Sequence, residues 1–210
     1  MRVLTEEKRA EIVAAAGRMF ALQGYAGTSM AMIAAEAGAS KATLYRYFTD
    51  KVQIFADYVV AQGAGHRDLL GQDFPLTSDC AESLNALGRF YLSIILSPGV
   101  IEVNRLVVAE AVRFPELLEI YFANGPSQVI ELVERTLRAA EDRGWLQLDD
   151  PVDAAWTFKS LCERKLLERA MWGFNDKIDE AVIQSNLETA TAMFLTVHGV
   201  ESRRKSPRLR

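Results

Sequence analysis

From Thr5 to His198 the apolar positions recur at helical spacing, and stretches alternating with the two-residue period of a strand are missing. Thr5, with Glu6 and Glu7 behind it, opens the first helix by capping and by placing negative charge at the positive end of the dipole. Ile12, Val13, Ala16, Met19 and Phe20 make its apolar stripe, and Gly24 stops it. Ile33, Ala34 and Ala37, behind the capping residues Thr28 and Ser29, predict a short second helix closed by Gly38. Ser40 then caps a third, Lys41 to Phe48, which buries Leu44 and Phe48 at the i, i+4 spacing. Two short helices joined by a turn of about three residues form a helix-turn-helix. Phe20, Tyr25, Ile33, Leu44 and Phe48 are its expected core.

Thr49-Asp50-Lys51 starts a further helix carrying Val52, Phe55, Val59 and Val60, which leaves this first unit without a flexible linker. The stretch from Gly63 to Ser78 is poor in pattern and predicts a loop. Helices are then expected over 81–96, closed by Ser97-Pro98-Gly99, over 100–114, and over 115–124 with Pro in the first turn. Three more follow: 126–143 ended by Gly144, one from Asp149-Asp150-Pro151 to about Trp172, and one from Asp176 to about His198. The expected fold is all-α. Residues 1–51 form a three-helix helix-turn-helix domain that continues into a shared helix to about 65, and residues 66–200 form a C-terminal helical bundle for ligand binding and dimerisation. Residues 201–210, a like-charge run from Arg203 to Arg210 with Pro207 and no apolar face, are expected to be a basic disordered tail.

Charge changes this picture through its placement. The net −4 argues against a nucleic-acid partner, yet residues 1–51 hold seven Lys or Arg against five Asp or Glu, a net +2. Residues 52–202 hold 12 against 23, a net −11, and residues 203–210 hold five against none. An acidic body with one end relieved of negative charge suits a chain that meets DNA at that end only. Cys80 and Cys162 are too few for a disulfide framework, and a signal-length apolar segment is not seen at the start, so a reduced, cytoplasmic protein is expected. An apolar run of 18 residues is also missing, which argues against a membrane span.

The third helix carries the candidate chemistry. Lys41, Ala42 and Thr43 are placed for readout in a major groove, Ala42 being small enough to let the helix approach base edges. Thr28, Ser29, Ser40, Tyr45, Arg46, Tyr47 and Lys51 supply hydroxyls and cations for the phosphate backbone. The sequence Gly24-Tyr25, Thr28-Ser29, Ile33-Ala34, Ala37-Gly38, Ser40-Lys-Ala-Thr-Leu-Tyr-Arg-Tyr-Phe48 and Lys51 resembles the N-terminal DNA-binding domain of the TetR family of bacterial repressors. It departs from that pattern at Ala42, where the family usually has Gly, and at Ala39, commonly Val. Arg105-Leu-Val-Val-Ala-Glu-Ala-Val-Arg-Phe-Pro-Glu-Leu117, Gly125-Pro126 and Gly144 to Pro151 are similar, more loosely, to the ligand-binding half of the AefR- and AcrR-like branch.

That second resemblance implies an effector domain without naming the effector. Phe90, Tyr91, Ile94, Leu106, Val107, Phe114, Phe122, Trp156 and Phe158 are candidates to line a cavity, with Glu110 as its polar anchor. The same spacing also describes ordinary core packing, and Glu110 equally suits a pairing with Arg105 or Arg113. The last two helices carry Ala155, Phe158, Leu161, Cys162, Leu166 and Arg169, and Ile183, Leu187, Ala190, Thr191, Phe194 and Leu195. The resemblance implies that this pair joins a second subunit in a four-helix bundle, with burial inside one chain as the alternative. The expected partners are therefore a palindromic double-stranded operator, a second copy of the chain and a small, largely apolar effector.

Catalytic and metal sites are not expected. The only histidines, His66 and His198, lack Cys, Asp or Glu at ligand spacing, and nucleophile-elbow, zincin, Walker and dinucleotide motifs are missing, so neither cofactor nor enzyme activity is expected. The competing reading is a helical small-molecule-binding protein without specific DNA binding.

Overall fold

A computed structural model describes residues 4–66, 70–174 and 178–200. Among the described residues the chain is helical throughout, apart from an isolated antiparallel bridge between Leu146 and Gly199. It divides into two compact units, Met1–Gly65 with Pro98–Pro126, and His66–Ser97 with Ser127–Arg210.

The first unit, or head, contains α1 (Glu6–Gly27), α2 (Met30–Glu36), α3 (Lys41–Tyr47), α4 (Lys51–Gln62), α6 (Pro98–Glu110) and α7 (Pro115–Asn124). Four of these helices start on side-chain caps: Thr5, Ser29, Ser40 and Asp50 each accept the N–H of the residue three positions on. Gly38 takes φ +58, the left-handed conformation that closes α2. The expected core residues Phe20, Tyr25, Ile33, Leu44 and Phe48 are all buried, joined by Ile54, Phe55, Tyr58 and Val59 of α4. Phe20 is packed by the rings of Tyr25, Phe55 and Tyr58 at 5.5 to 6.1 Å between centroids. Gly17 lets α4 come close: a Cβ there would lie 2.5 Å from Tyr58 Cε2.

One cut falls after Gly65, but a second segment, Pro98–Pro126, joins the first unit. Val103 and Val107 of α6 and Leu117 of α7 are buried in the same cluster as the helix-turn-helix residues, so the hairpin over 98–124 belongs to the head. Two element limits also differ. Pro98 opens α6 rather than separating two helices, which its missing N–H permits in a first turn. And α6 ends at Glu110, short of Phe114, because Pro115 excludes Phe114 (φ −134, ψ 73) from helical geometry.

In the second unit α5 (Cys80–Ile95), α9 (Pro151–Trp172) and α10 (Glu180–His198) pack on one another, and α8 (Pro126–Asp142) buries Val129, Leu132, Val133, Thr136 and Leu137. Asn186 Nδ2 donates to the Cys162 carbonyl at 2.7 Å, and Thr191 Oγ1 donates to Asn85 Oδ1 at 3.0 Å. Residues 71–79 form the expected loop, strapped down by Arg135, which donates to the Leu70 and Gln72 carbonyls, and by Arg143, which donates to that of Thr77. Helix α9 is broken at Arg164, whose φ of 34° and ψ of −130° lie outside helical space.

Most of the residues named on α9 and α10 are packed inside their own chain. Ala155, Phe158, Cys162, Leu166, Leu187, Ala190, Thr191 and Phe194 are buried within this chain, and Leu161, Arg169, Ile183 and Leu195 are half-buried. The exposed apolar side chains of the pair are others: Val152, Trp156, Trp172, Phe174, Val182, Met193 and Val197. The expected start of the last helix at Asp176 and the tail over 201–210 lie outside the described residues.

Candidate nucleic-acid interface

Helix α3 sorts its residues by side. Leu44 is buried together with Phe48 just past the helix, while Lys41, Ala42, Tyr45 and Arg46, one turn apart in pairs, are exposed on the opposite side. Tyr45 is 55% exposed, so it is a surface residue rather than part of the core. Thr43 is half-buried beside Ser40: the Thr43 N–H donates to Ser40 Oγ at 3.0 Å and the two hydroxyls lie 2.8 Å apart. Ser29 is exposed and caps α2 through the Met32 N–H.

Behind the exposed face the third helix is held by α1. Arg9 donates to Asp57 of α4 at 2.6 Å and to the Tyr47 carbonyl at 3.4 Å, and its guanidinium lies 4.5 Å over the Phe48 ring. That places a cation against the C-terminal carbonyls of α3, where the helix dipole favours it. The Tyr47 hydroxyl accepts the Thr5 N–H at 3.0 Å, tying the end of α3 to the start of α1. Between them runs an open groove of about 730 Å³ lined by Thr5, Glu7, Lys8 and Glu11 of α1 and by Ser40, Thr43, Arg46 and Tyr47. Sequence alone did not single out Arg9 or Lys8, which sit on the polar side of α1, where helical spacing gives no reason to prefer one charge over another.

Two expected phosphate ligands are turned inward. Thr28 is 2% exposed and its hydroxyl donates to the Gly24 and Met19 carbonyls at 2.8 and 3.1 Å. Lys51 is half-buried, donates to the Tyr25 and Thr28 carbonyls at 2.5 and 2.8 Å, and lies 4.0 Å over the Tyr25 ring. Both repair the same defect. Gly24, at φ +69 and ψ 171, breaks α1 and leaves nearby carbonyls without helical partners. Burial pushes the Lys51 ammonium down from its usual range, with the Glu110 charge acting against that, and burial raises the Tyr25 hydroxyl to about 12.

The ten residues expected around a cavity fall into both units. Leu106, Val107 and Phe114 pack into the head core, and Glu110 accepts the Ala26 N–H at 3.0 Å, which makes these four part of the head's packing. Phe122 is 43% exposed on α7. In the second unit Tyr91, Ile94 and Phe158 are buried, and Phe158 stacks edge-on against Phe194 at 5.2 Å. Phe90 stands 5.8 Å from Phe74 of the strapped loop. Tyr91 and Trp156 border a small charged cluster: the Tyr91 hydroxyl donates to Glu163, which also pairs with Lys159 at 2.6 Å, and Lys159 lies 5.3 Å over the Trp156 ring.

Nothing in this arrangement has the form of a catalytic or metal centre. A group of three or more His, Cys, Asp or Glu side chains able to hold a metal is not found among the described residues, and no single helix there is long and apolar enough to cross a membrane. Both cysteines are free thiols.

Comparison with known proteins agrees with the geometry over nearly the whole chain. Residues 12–58 match the bacterial regulatory proteins of the tetR family, and residues 82–200 match the C-terminal domain of AefR-like transcriptional repressors. The HTH-type transcriptional regulator HbdR of Aromatoleum sp. (strain CIB) is 24% identical, over 98% of this chain and 88% of its own. Among solved structures, the flavonoid-responsive regulator FrrA is 31% identical with a TM-score of 0.79, covering 93% of this chain and 99% of that one. A TetR-family regulator from Mesorhizobium loti MAFF303099 is 27% identical with a TM-score of 0.79, over 95% of this chain and 100% of that one. TetR-family regulators bind DNA and act as dimers, and with its helix-turn-helix and its C-terminal half both matched, this chain belongs to the TetR family of transcriptional regulators.

Proposed function

We propose that the protein is a cytoplasmic repressor that binds a palindromic operator as a homodimer and leaves it when a small, largely apolar effector binds the second unit. The observation that carries the DNA side is the two-sided α3, with Leu44 and Phe48 inward and Lys41, Ala42, Tyr45 and Arg46 outward. Lys41 and Ala42 read the major groove together with Thr43, while Ser29, Ser40, Tyr45, Arg46 and Tyr47 meet the backbone.

Dimerisation through α9 and α10 is supported by the outer face of α10. Its exposed residues Val182, Ser185, Thr189, Ala192, Met193, Thr196 and Val197 run as an uncharged stripe of small and apolar side chains, suited to the same stripe across a two-fold axis. Two heads one helical turn of DNA apart, about 34 Å, then reach successive major grooves. For the effector, the cluster of Tyr91, Trp156, Lys159 and Glu163 offers polar anchors inside an apolar bundle. FrrA, flavonoid-responsive by its name, supports an aromatic ligand. Release requires the effector to bind the DNA-free arrangement more tightly than the bound one.

The experiment is a gel shift on DNA selected from a random pool, with and without effector candidates. Lys41→Ala and Thr43→Ala relax base preference, and Arg46→Ala weakens all sequences evenly and lowers the salt dependence. Unchanged binding in all three rejects the assignment of α3. A protein that binds small aromatics but gives no sequence-selective shift is the competing helical binding protein.

A further inference from the structure

We propose that Lys51 and Glu110 form an internal strut that sets how the recognition helix is presented, and that Lys51 serves DNA binding by positioning rather than by touching phosphate. The inference rests on the DNA-binding reading of α3.

The elbow over residues 24–28 joins α1 to α2, and the α2–α3 pair hangs from it, since α2 begins two residues after Thr28. Gly24 abandons helical geometry there; Thr28 answers the Tyr25 and Gly24 carbonyls through its N–H and hydroxyl, and the elbow also takes partners from other helices. It receives two. Lys51, the first residue of α4, donates to the carbonyls of Tyr25 and Thr28, and Glu110, the last residue of α6, accepts the N–H of Ala26. The Glu110 carboxylate fits against Gly24 so closely that a Cβ at that position would lie 2.8 Å from its Oε1. The Tyr25 ring completes the joint, packed by the Lys51 ammonium on one side and by Phe55 and Phe114 at 5.7 and 5.1 Å.

Both charged groups sit where charge is costly, Glu110 at 9% exposure and at the C-terminal end of a helix, where the dipole disfavours a carboxylate. Each is held by hydrogen bonds to the elbow's backbone, and the Glu110 charge favours the Lys51 ammonium against its burial. With both Lys51 donations directed at carbonyls inside the head, a phosphate ligand at this position would have to draw the ammonium away from the Tyr25 and Thr28 carbonyls, leaving Tyr25 with only the Thr28 N–H at 3.3 Å. The strut also extends the head's reach: α6 and α7 are fastened to the elbow, so a shift of the 98–124 hairpin is delivered to the α2–α3 pair through one carboxylate.

The test is a double-mutant cycle, Lys51→Met with Glu110→Gln, read as affinity for operator DNA recovered from a random pool across a salt series. Glu110→Gln keeps an acceptor for the Ala26 N–H and removes only the charge. We expect Lys51→Met to weaken operator binding at least ten-fold with the slope of log affinity against log salt unchanged, and the double variant to be no worse than the weaker single. A slope reduced by about one for each Lys51 lost would make Lys51 a phosphate ligand and overturn the proposal. So would strictly additive effects of the two substitutions. Should Lys51→Met fail to fold, Lys51→Gln, which still offers two N–H donors, gives the same two readouts. Wild-type protein that enriches no DNA rejects the DNA-binding reading itself, a result separable from a normal wild-type shift with an additive cycle.

Discussion

Gly17 lies in the middle of α1 at its closest approach to α4, and Gly17→Ala puts two known effects in opposition. In an exposed helix interior the change stabilises by about 1 kcal/mol, because alanine loses less conformational entropy than glycine. Here the new methyl would stand 2.5, 3.1 and 3.3 Å from Cε2, Cδ2 and Cζ of Tyr58. The Tyr58 ring has little room to yield: it is 4% exposed and lies edge-on to Phe20 at 5.8 Å. Overpacking of this kind costs about 1–3 kcal/mol, so the net expectation is a loss of about 1 kcal/mol. For a chain of this size that is a fall in Tm of roughly 2–4 °C. Calorimetry on wild type, Gly17→Ala, Tyr58→Leu and the pair is the assay. The double variant should recover part of the Gly17→Ala loss, since leucine vacates the volume that the methyl enters. A rise in Tm for Gly17→Ala alone would refute the close α1–α4 contact and with it the packing that seats α3.

Other substitutions test other parts of the fold. At Arg164, φ of 34° and ψ of −130° cost a non-glycine residue about 1–3 kcal/mol, so Arg164→Gly should raise the melting temperature and Arg164→Val lower it; the reverse order would mean that α9 is unbroken. Glu163→Ala removes the acceptor that Lys159 and the Tyr91 hydroxyl share and should destabilise by about 1–2 kcal/mol in urea titrations, and Glu163→Gln by less; equal, near-zero effects would show the cluster to be solvated. Burial pushes the Cys80 thiol up to about 11 and the Cys162 thiol up to about 12. The unfolded chain therefore loses these protons first, and stability should fall as pH rises above about 9. Cys162 should be inert to a thiol reagent at pH 8 until denaturant is added; immediate labelling of the native protein would contradict its burial.

The head was legible in the sequence because its signals are local. Capping residues at Thr5, Ser29, Ser40 and Asp50, the left-handed Gly38, and the i, i+4 pair Leu44 and Phe48 each act within a turn or two, and all take the expected geometry. Contacts distant in sequence were not legible. Thr28 and Lys51 have the chemistry of phosphate ligands, and only the break at Gly24 explains why they face inward. Glu110 has the chemistry of a ligand anchor, and its true partner, the Ala26 N–H, is 84 residues away in sequence. Period alone showed α9 and α10 to be amphipathic, but each has one side buried by its own chain and another apolar side in solvent. Spacing cannot tell which of two apolar sides packs inside the chain and which stays in solvent.

The most direct measurement is selection of bound sequences from a random double-stranded DNA pool, carried out with wild type and with Lys41→Ala/Arg46→Ala. The account predicts enrichment of an inverted repeat whose half-site centres lie about one helical turn, 10–10.5 base pairs, or a multiple of it apart, and loss of that enrichment in the variant. A pool that stays unenriched with wild type, or an inverted repeat that the variant still selects, would contradict it.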